Sequence, residues 1–212
     1  MTNGAPAFRE IATVPEDARL LADRIRELID ACLHSQASSA ELGAATLLID
    51  QAAALLRTRT RDSTLVVARG DGGVSINNAV EGPCNPVAPP LTDLRYIDGV
   101  THARVVFPTA HEGPPGRVHG GLVAAVLDHA LGRNVAWTIA AAVTASLTVD
   151  YRKGTPLHVP LDVTARVDSV DGRKVFASAE IRHGALVTAE AKATMVLVAG
   201  LPSIAPVVAS FD

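Results

Sequence analysis

The sequence predicts an α+β fold in which one long apolar helix lies across the concave face of an antiparallel sheet. The run from Val118 to Trp137 opens with glycines and has no polar side chain between Leu122 and Leu127, which is typical of a buried helix. Segments between residues 143 and 197 alternate apolar and polar side chains with a period of two, which indicates four half-buried strands. A single apolar helix followed by this much sheet is expected to be covered by that sheet.

Composition excludes several classes of protein. The chain has 212 residues and a net charge of -3, which gives no reason to expect nucleic-acid binding. Its two cysteines, Cys32 and Cys84, suggest neither a disulfide framework nor a metal cluster, so a reducing cytoplasm is the default. The N-terminus lacks a signal-peptide profile, and no apolar run approaches the length that crosses a bilayer. We therefore expect a cytoplasmic protein without a membrane span.

Residues 1–62 are predicted to form a helical extension, in which residues 1–12 are a loose leader before two helices. Thr13 and Glu16 have capping-box spacing before an apolar stripe between residues 18 and 32. A second helix is predicted to begin near Ser38, with Glu41 three residues later, and to run to the basic segment 57–61. Each helix has one apolar face that is expected to be buried by packing against other residues. The pattern favours a helical hairpin packed on the main domain or on a partner subunit, and a docking site for another protein is the alternative.

The rest of the chain divides into three predicted segments. Residues 63–98 are rich in Asn, Gly and Pro and are interpreted as a linker or arm with a first strand region. Residues 99–200 hold the main domain, in which Asp171-Gly172 is a strong hairpin signal. Residues 201–212 form a C-terminal tail.

Two features of the long apolar run do not belong in a buried helix. The His119-Gly120-Gly121 opening leaves backbone N–H groups uncovered at a helix N-terminus, and Asp128 places a carboxylate among apolar residues. Gly120 and Asp128 lie eight residues apart, which is about 12 Å along one helix axis. One small reacting group cannot touch both. If they serve the same atom, Asp128 must come from a second copy of the chain, with the two helices antiparallel about a two-fold axis.

A family resemblance rests on three motifs. H-G-G at 119–121 with Asp128, T-A-S-L-T-V-D-Y at 144–151 and D-G-R-K at 171–174 together resemble the hotdog-fold acyl-CoA thioesterases. The phenylacetate-pathway type and the mammalian thioesterase superfamily members are the most similar. The resemblance covers about residues 85–199 and leaves out the two N-terminal helices. It implies a long helix wrapped by an antiparallel sheet, two subunits with joined sheets, and active sites at the dimer interface.

The resemblance also implies catalytic roles. The backbone N–H of Gly120 would polarise the thioester carbonyl and hold the oxyanion. Asp128 of the partner subunit would act as general base on water, or less favourably as a nucleophile. Thr144 matches the position that orients the attacking water, and His119 is expected to shape the loop more than to transfer protons. Without the resemblance, Asp128 could be a solvated acid on an exposed face, and Thr144 an ordinary strand residue.

Substrate contacts are expected in the same region. Gly121 follows the oxyanion donor, and Glu112 stands where some relatives place an Asn or Gln as a second carbonyl contact. An ionised Glu112 cannot donate a hydrogen bond, so the second donor stays open. Four cations are candidates for binding the CoA phosphates or are plain exposed charges: Arg152, Lys153, Arg173 and Lys174.

The function predicted from these motifs is hydrolysis of an acyl-CoA thioester to a free acid and CoA. The enzyme would be a homodimer or a dimer of dimers and would need no cofactor. The histidines show no metal-ligand spacing, and neither a G-x-S-x-G elbow nor the D-x-N-P-x-H pattern of hotdog hydratases is present. The alternative is a non-catalytic acyl-CoA or acyl-carrier binding protein whose N-terminal helices recruit a partner. A pure binding site has no need of Asp128 and Thr144, which argues against it.

Overall fold

The computed structural model describes residues 8–67, 73–89 and 91–198. The predicted C-terminal tail lies outside these residues. Within these residues, three α-helices are present: α1 (Glu16–His34), α2 (Ser39–Arg57) and α3 (Gly120–Thr138). The strands are β1 (Phe8–Ile11), β2 (Thr64–Val67), β3 (Val74–Ser75), β4 (Leu91–Ile97), β5 (Val100–Val105), β6 (Ala142–Tyr151), β7 (Leu161–Asp171), β8 (Lys174–His183) and β9 (Leu186–Leu197).

The six-stranded sheet covers α3. Its strand order is β4-β5-β7-β8-β9-β6, and every neighbouring pair is antiparallel. Ten residues of α3 are buried, and six of them share one core with the inward-facing residues of the strands. Alternate positions of β8, such as Val175 and Ile181, are fully buried in that core. The predicted α+β arrangement of one central helix and an antiparallel sheet is confirmed.

The sheet begins at Leu91, earlier than the predicted start of the main domain at residue 99. Strand β4 pairs with β5 through a turn at Asp98 and Gly99, both of which have positive φ. The charged residues of β4 and its register shift between Thr92 and Arg95 hide the alternation that usually marks a strand. The predicted hairpin at Asp171-Gly172 is formed, with Gly172 at φ 57°.

A second, three-stranded sheet lies in the N-terminal part of the chain. Strand β1 pairs in parallel with β2, and β3 pairs with β2 on its other side. The prediction of a loose leader over residues 1–12 is therefore wrong for residues 8–11. A four-residue strand depends on a partner more than fifty positions away, which local periodicity does not reveal.

The two N-terminal helices differ in how they are held. Helix α1 has no side-chain cap at Pro15, so the predicted Thr13–Glu16 box is not formed, whereas the Ser38–Glu41 box of α2 is. Helix α1 packs against the short 3-10 helix at 109–111. Every residue of α2 is exposed except the half-exposed Ala53, so α2 is not packed on the main domain of its own chain. A cover from a partner remains a prediction.

Helix α2 is also long and apolar enough, by length and composition alone, to cross a membrane. Its mean hydropathy is 1.2 and none of it is buried. This helix departs from the expectation that no apolar run approaches the length that crosses a bilayer. One helix of this kind is weak evidence for a membrane span.

Candidate active site

The loop before α3 is closed by its own hydrogen bonds. The N–H of Gly113 donates to the carbonyl of Arg117 at 2.9 Å, and the backbones of Glu112 and Val118 form an isolated antiparallel β-bridge. One carboxylate oxygen of Glu112 accepts from the N–H of Gly116 at 2.6 Å. The side chain of Glu112 is thus engaged in the loop, where an acid is a suitable acceptor for a backbone N–H.

This loop holds the backbone of His119. The N–H of His119 donates to the carbonyl of His111 at 2.9 Å. A Cβ atom on Gly113 would lie 2.7 Å from Cα of His119, a distance that real Cβ contacts essentially never show. Only glycine at 113 allows the loop to approach the start of α3 this closely.

The first turn of α3 leaves one backbone donor open. His119 is the N-cap residue, and its Nδ1 accepts from the N–H of Gly121 at 3.1 Å. The N–H groups of Leu122 and Val123 donate to the carbonyl of His119. Within the described part of the chain, the N–H of Gly120 has no acceptor. A free N–H at the positive end of a helix is suited to bind a carbonyl oxygen or an oxyanion.

Tyr151 completes this turn and was not predicted as a site residue. Its hydroxyl donates to the carbonyl of Gly120 at 2.9 Å. A Cβ atom on Gly120 would lie 3.3 Å from the Tyr151 ring and hydroxyl, so the glycine lets the phenol pack against the turn. In the sequence, Tyr151 ends an alternating strand, and nothing distinguishes it there from a residue of the core.

Asp128 and Thr144 meet within one protomer. The hydroxyl of Thr144, at the start of β6, donates to Oδ1 of Asp128 at 2.7 Å. Asp128 is half-buried on α3 and Thr144 is exposed. The hydroxyl donates its proton to the carboxylate and keeps lone pairs that can accept from a water molecule. The pair can therefore orient a water and accept its proton.

The surface beside Asp128 consists of small residues. Gly121, Ala125 and Gly132 share one face of α3 with Asp128 and are incompletely covered. Strand β6 is an edge of the sheet and pairs only with β9 among the described strands. Its apolar residues Val143 and Tyr151 are 51% and 55% exposed. An uncovered edge strand is a template for pairing with another strand.

An ionic cluster on the other side of Asp128 was also missed. Glu81 in the arm contacts Nε2 of His129 at 3.2 Å and Nη2 of Arg133 at 2.7 Å, and the side chains of Glu81 and Arg133 are each 8% exposed. Burial raises the pKa of Glu81, but hydrogen bonds and charge interactions with His129 and Arg133 lower it by more. The pKa of Glu81 therefore lies below its ordinary value. No sequence spacing links Glu81 to α3, because the contact joins a loop to a helix.

The four predicted phosphate-binding cations lie near opposite ends of β6. Arg152 and Lys153 follow Tyr151 directly, and Arg152 pairs with Glu190 at 3.2 Å. Arg173 donates to the carbonyl of Leu197, beside the start of β6. Lys174 pairs in register with Val196, the neighbour of Val143. One protomer does not bring the four together.

Two surface depressions are lined by other residues. The first, about 420 Å³, lies over polar positions of the sheet, and the second, about 330 Å³, lies between the arm and β4. Neither is lined by Gly120, Asp128 or Thr144. The first is lined by charged residues that include Asp150, Arg166, Asp168, Glu180, Glu190 and Lys192.

Comparisons with known proteins agree with the motif resemblance. A family model described as thioesterase superfamily matches residues 115–190. Acyl-coenzyme A thioesterase THEM4 of Xenopus laevis is 41% identical over 71 residues, which are 34% of this chain and 32% of that protein. THEM4 of Rattus norvegicus is 33% identical over 87 residues, which are 41% of this chain and 37% of that protein. The matches span about a third of the length of these curated relatives.

Solved structures extend the likeness over most of the chain. Thioesterase superfamily member 2 of zebrafish is 16% identical with a TM-score of 0.51, covers 58% of this chain and 91% of its own, and shows the shared fold alone. The crystal structure of a thioesterase superfamily protein is 31% identical with a TM-score of 0.78 and covers 91% of this chain and 98% of its own. That alignment reaches into the N-terminal extension. The predicted hotdog fold is confirmed, and the chain belongs to the thioesterase superfamily.

Proposed function

We propose that this protein is an acyl-CoA thioesterase that works as a homodimer, with each active site built from both subunits. The observation that carries the proposal is the pair of half-sites in one protomer. One half-site is the free N–H of Gly120 with Tyr151 packed on it, and the other is Asp128 bound to Thr144 at 2.7 Å. Gly120 and Asp128 lie eight positions apart on α3, which is about 12 Å along its axis, so neither half-site serves one thioester alone.

Strand β6 shows how two subunits would combine these halves. Thr144, at the start of β6, contacts Asp128, and Tyr151, at its end, contacts Gly120. Antiparallel pairing of two β6 edges about a two-fold axis places the start of one strand beside the end of the other. Asp128 of one subunit then faces Gly120 of the partner subunit. The small residues beside Asp128 allow the two α3 helices to approach closely.

The proposed reaction is hydrolysis of the thioester. A water held by Thr144 attacks the carbonyl carbon while the Asp128 carboxylate accepts one water proton. The carbonyl oxygen takes negative charge and is stabilised by the N–H of Gly120 of the partner subunit. One such donor stabilises the transition state by roughly 3–4 kcal/mol. When the carbon–sulfur bond breaks, the proton on Asp128 passes to the departing CoA sulfur. The products are the free acid and CoA.

The same pairing brings the predicted phosphate-binding cations together. Arg152 and Lys153 lie near the Gly120 end of β6, whereas Arg173 and Lys174 lie near its Thr144 end. In the antiparallel dimer, the first pair of one subunit lies at the same end as the second pair of the partner subunit. We propose that these cations bind the phosphates of CoA, whose charge suits guanidinium and ammonium donors.

The proposal is tested by hydrolysis of a series of acyl-CoA thioesters from acetyl to palmitoyl, followed with a thiol-detecting reagent. A mixed dimer gives the sharpest result. Combining inactive Asp128→Asn and Gly120→Val subunits should restore activity at one of the two sites, because each heterodimer contains one intact pair. Failure of the mixture to recover activity, with heterodimers shown by mass spectrometry, argues against a shared site. Binding of acyl-CoA without any hydrolysis by the parent would instead support the binding-protein alternative.

A further inference from the structure

The oxyanion turn is connected to a buried histidine that the proposed reaction does not use. The carbonyl of His111 accepts from the N–H of His119, the N-cap residue whose ring in turn holds Gly121. His111 is 6% exposed. Its ring meets Phe107 edge to face, with centroids 5.8 Å apart. The position of His111 therefore sets the position of the residue that begins α3.

One hydrogen bond fixes the His111 ring on the arm. Its Nε2 donates to the carbonyl of Val87 at 3.3 Å, which places the proton on Nε2. The other ring nitrogen, Nδ1, is buried and has no partner among the described residues. Burial lowers the pKa of His111 below its ordinary value of 6.5, which keeps the ring neutral at physiological pH. A neutral ring with one donor fits this site, because a second buried N–H would have no acceptor.

The arm is tied in turn to α1. The N–H of Val87 donates to Oδ1 of Asn85 at 3.1 Å, and the carbonyl of Asn85 accepts from Arg26 at 2.7 Å. Arg26 is itself held by Asp23, one turn earlier on α1, at 2.6 Å. Since α1 also packs against residues 109–111, the connection from α1 to His111 is supported by both packing and hydrogen bonds.

We propose that His111 is a positioning residue that transmits the placement of α1 and the arm to the Gly120 N–H. The proposal rests on the thioesterase function above, because it assigns the N-terminal extension to the geometry of that oxyanion site. A donor must lie about 2.7–3.1 Å from the developing oxyanion, so a small shift of the turn weakens the bond. Helix α1 and the arm then help to position the oxyanion donor.

The first test compares two variants of His111. His111→Gln keeps an N–H donor near the carbonyl of Val87, whereas His111→Leu removes it at similar volume. We expect His111→Leu to lower kcat by about 10- to 100-fold and His111→Gln to restore most of that loss, since a misplacement of about 1 Å can cost 100-fold. Val163→Ala, a truncation in the core of the sheet, should lower Tm without this loss of kcat. Equal kcat for His111→Leu and the parent would overturn the proposal.

A second test does not depend on activity. Hydrogen exchange of the unliganded dimer reports the amides of His119 and Gly121, which the turn protects. These amides should exchange faster in Arg26→Met, while those in the middle of α3 should not change. Arg24→Met is the matched control, because Arg24 is exposed on the same helix and pairs only with Glu27 among the described residues.

The outcomes separate the two proposals. If the parent hydrolyses no acyl-CoA, the thioesterase proposal fails. The hydrogen-exchange data still decide whether α1 positions the first turn of α3. Unchanged hydrogen exchange at His119 and Gly121 in Arg26→Met would overturn the proposed role of α1 and His111, even if the enzyme is active. Faster exchange in Arg26→Met together with rescue by His111→Gln supports it. Because Arg26 is only partly buried, its variant keeps the test possible if His111→Leu does not fold.

Discussion

Helices α2 and α3 have the same length of 19 residues and similar apolar composition, but opposite environments. Ten residues of α3 are buried, whereas no residue of α2 is. The sheet covers α3 within its own protomer. Six large apolar side chains of α2 are at least 42% exposed: Leu42, Leu47, Leu48, Ile49, Leu55 and Leu56.

The comparison separates helix formation from helix burial. Composition and capping predict both helices, since Ser38 caps α2 and His119 caps α3. Burial depends on what the rest of the chain brings to the helix. Fully burying a Leu side chain contributes about 1.5–3 kcal/mol, and α2 does not gain this contribution within its protomer. Five substitutions test how different the two helices are in solution.

The largest effect is expected for Asp128, the acid in the middle of α3. Asp128→Asn removes the proposed base and should lower kcat by about 100- to 10,000-fold, in the range of general base catalysis. Asp50→Asn makes the same change in α2 and should leave kcat unaltered. Steady-state hydrolysis of acyl-CoA measures both. A similar loss in Asp50→Asn would mean that α2 also reaches a reacting group.

Glu81→Gln tests the ionic cluster that fixes the arm to α3. Removing one partner leaves the buried charge of Arg133 uncompensated, at a cost of about 3–5 kcal/mol. Urea unfolding at pH 7 measures the loss. Since the folded pKa of Glu81 is lowered, its stabilisation is present above its ordinary value of 4.5 and disappears as pH falls through the folded pKa.

The pH dependence supplies a control for this variant. The stability difference between the parent and Glu81→Gln should narrow as the pH is lowered below 4.5. A difference that does not change with pH would show that the loss comes from packing and not from the charge of Glu81.

Leu127→Ala truncates a fully buried side chain of α3. The lost burial and the cavity should reduce the free energy of unfolding by about 2–5 kcal/mol. Chemical denaturation measures this loss, with an unchanged m-value as the check for two-state unfolding. A cost below about 1 kcal/mol would contradict the packing of α3 described above, because core truncations exceed that value.

The smallest effect is expected for Leu48→Ala, the equivalent truncation in α2. Leu48 is 66% exposed, so the free energy of unfolding should change by no more than about 0.5 kcal/mol, as for other surface substitutions. The same denaturation experiment applies, repeated at two protein concentrations. A cost of more than about 1 kcal/mol that depends on concentration would show that another copy buries α2 in solution.

Much of the fold could be predicted because its signals are local. Residues 143–197 show period-two alternation and the Asp171-Gly172 turn, and the structure has strands and a hairpin there. The Gly120 opening and Asp128 were identified because each conflicts with an apolar helix. The Thr13–Glu16 capping box has the same spacing as Ser38–Glu41 but is not formed. Helix α1 begins after Pro15, so Pro15 and not Thr13 occupies the N-cap position.

The sequence by itself determined the helices, most strands of the main sheet, and the candidate residues of the proposed active site. The tertiary structure decided which of them meet: Thr144 with Asp128, Tyr151 with Gly120, and Glu81 with His129 and Arg133. It also decided that α3 is covered and α2 is not. The physical reason is that periodicity and capping act within a few residues of one segment. Contacts between distant segments depend on strand register and packing, which no local pattern encodes.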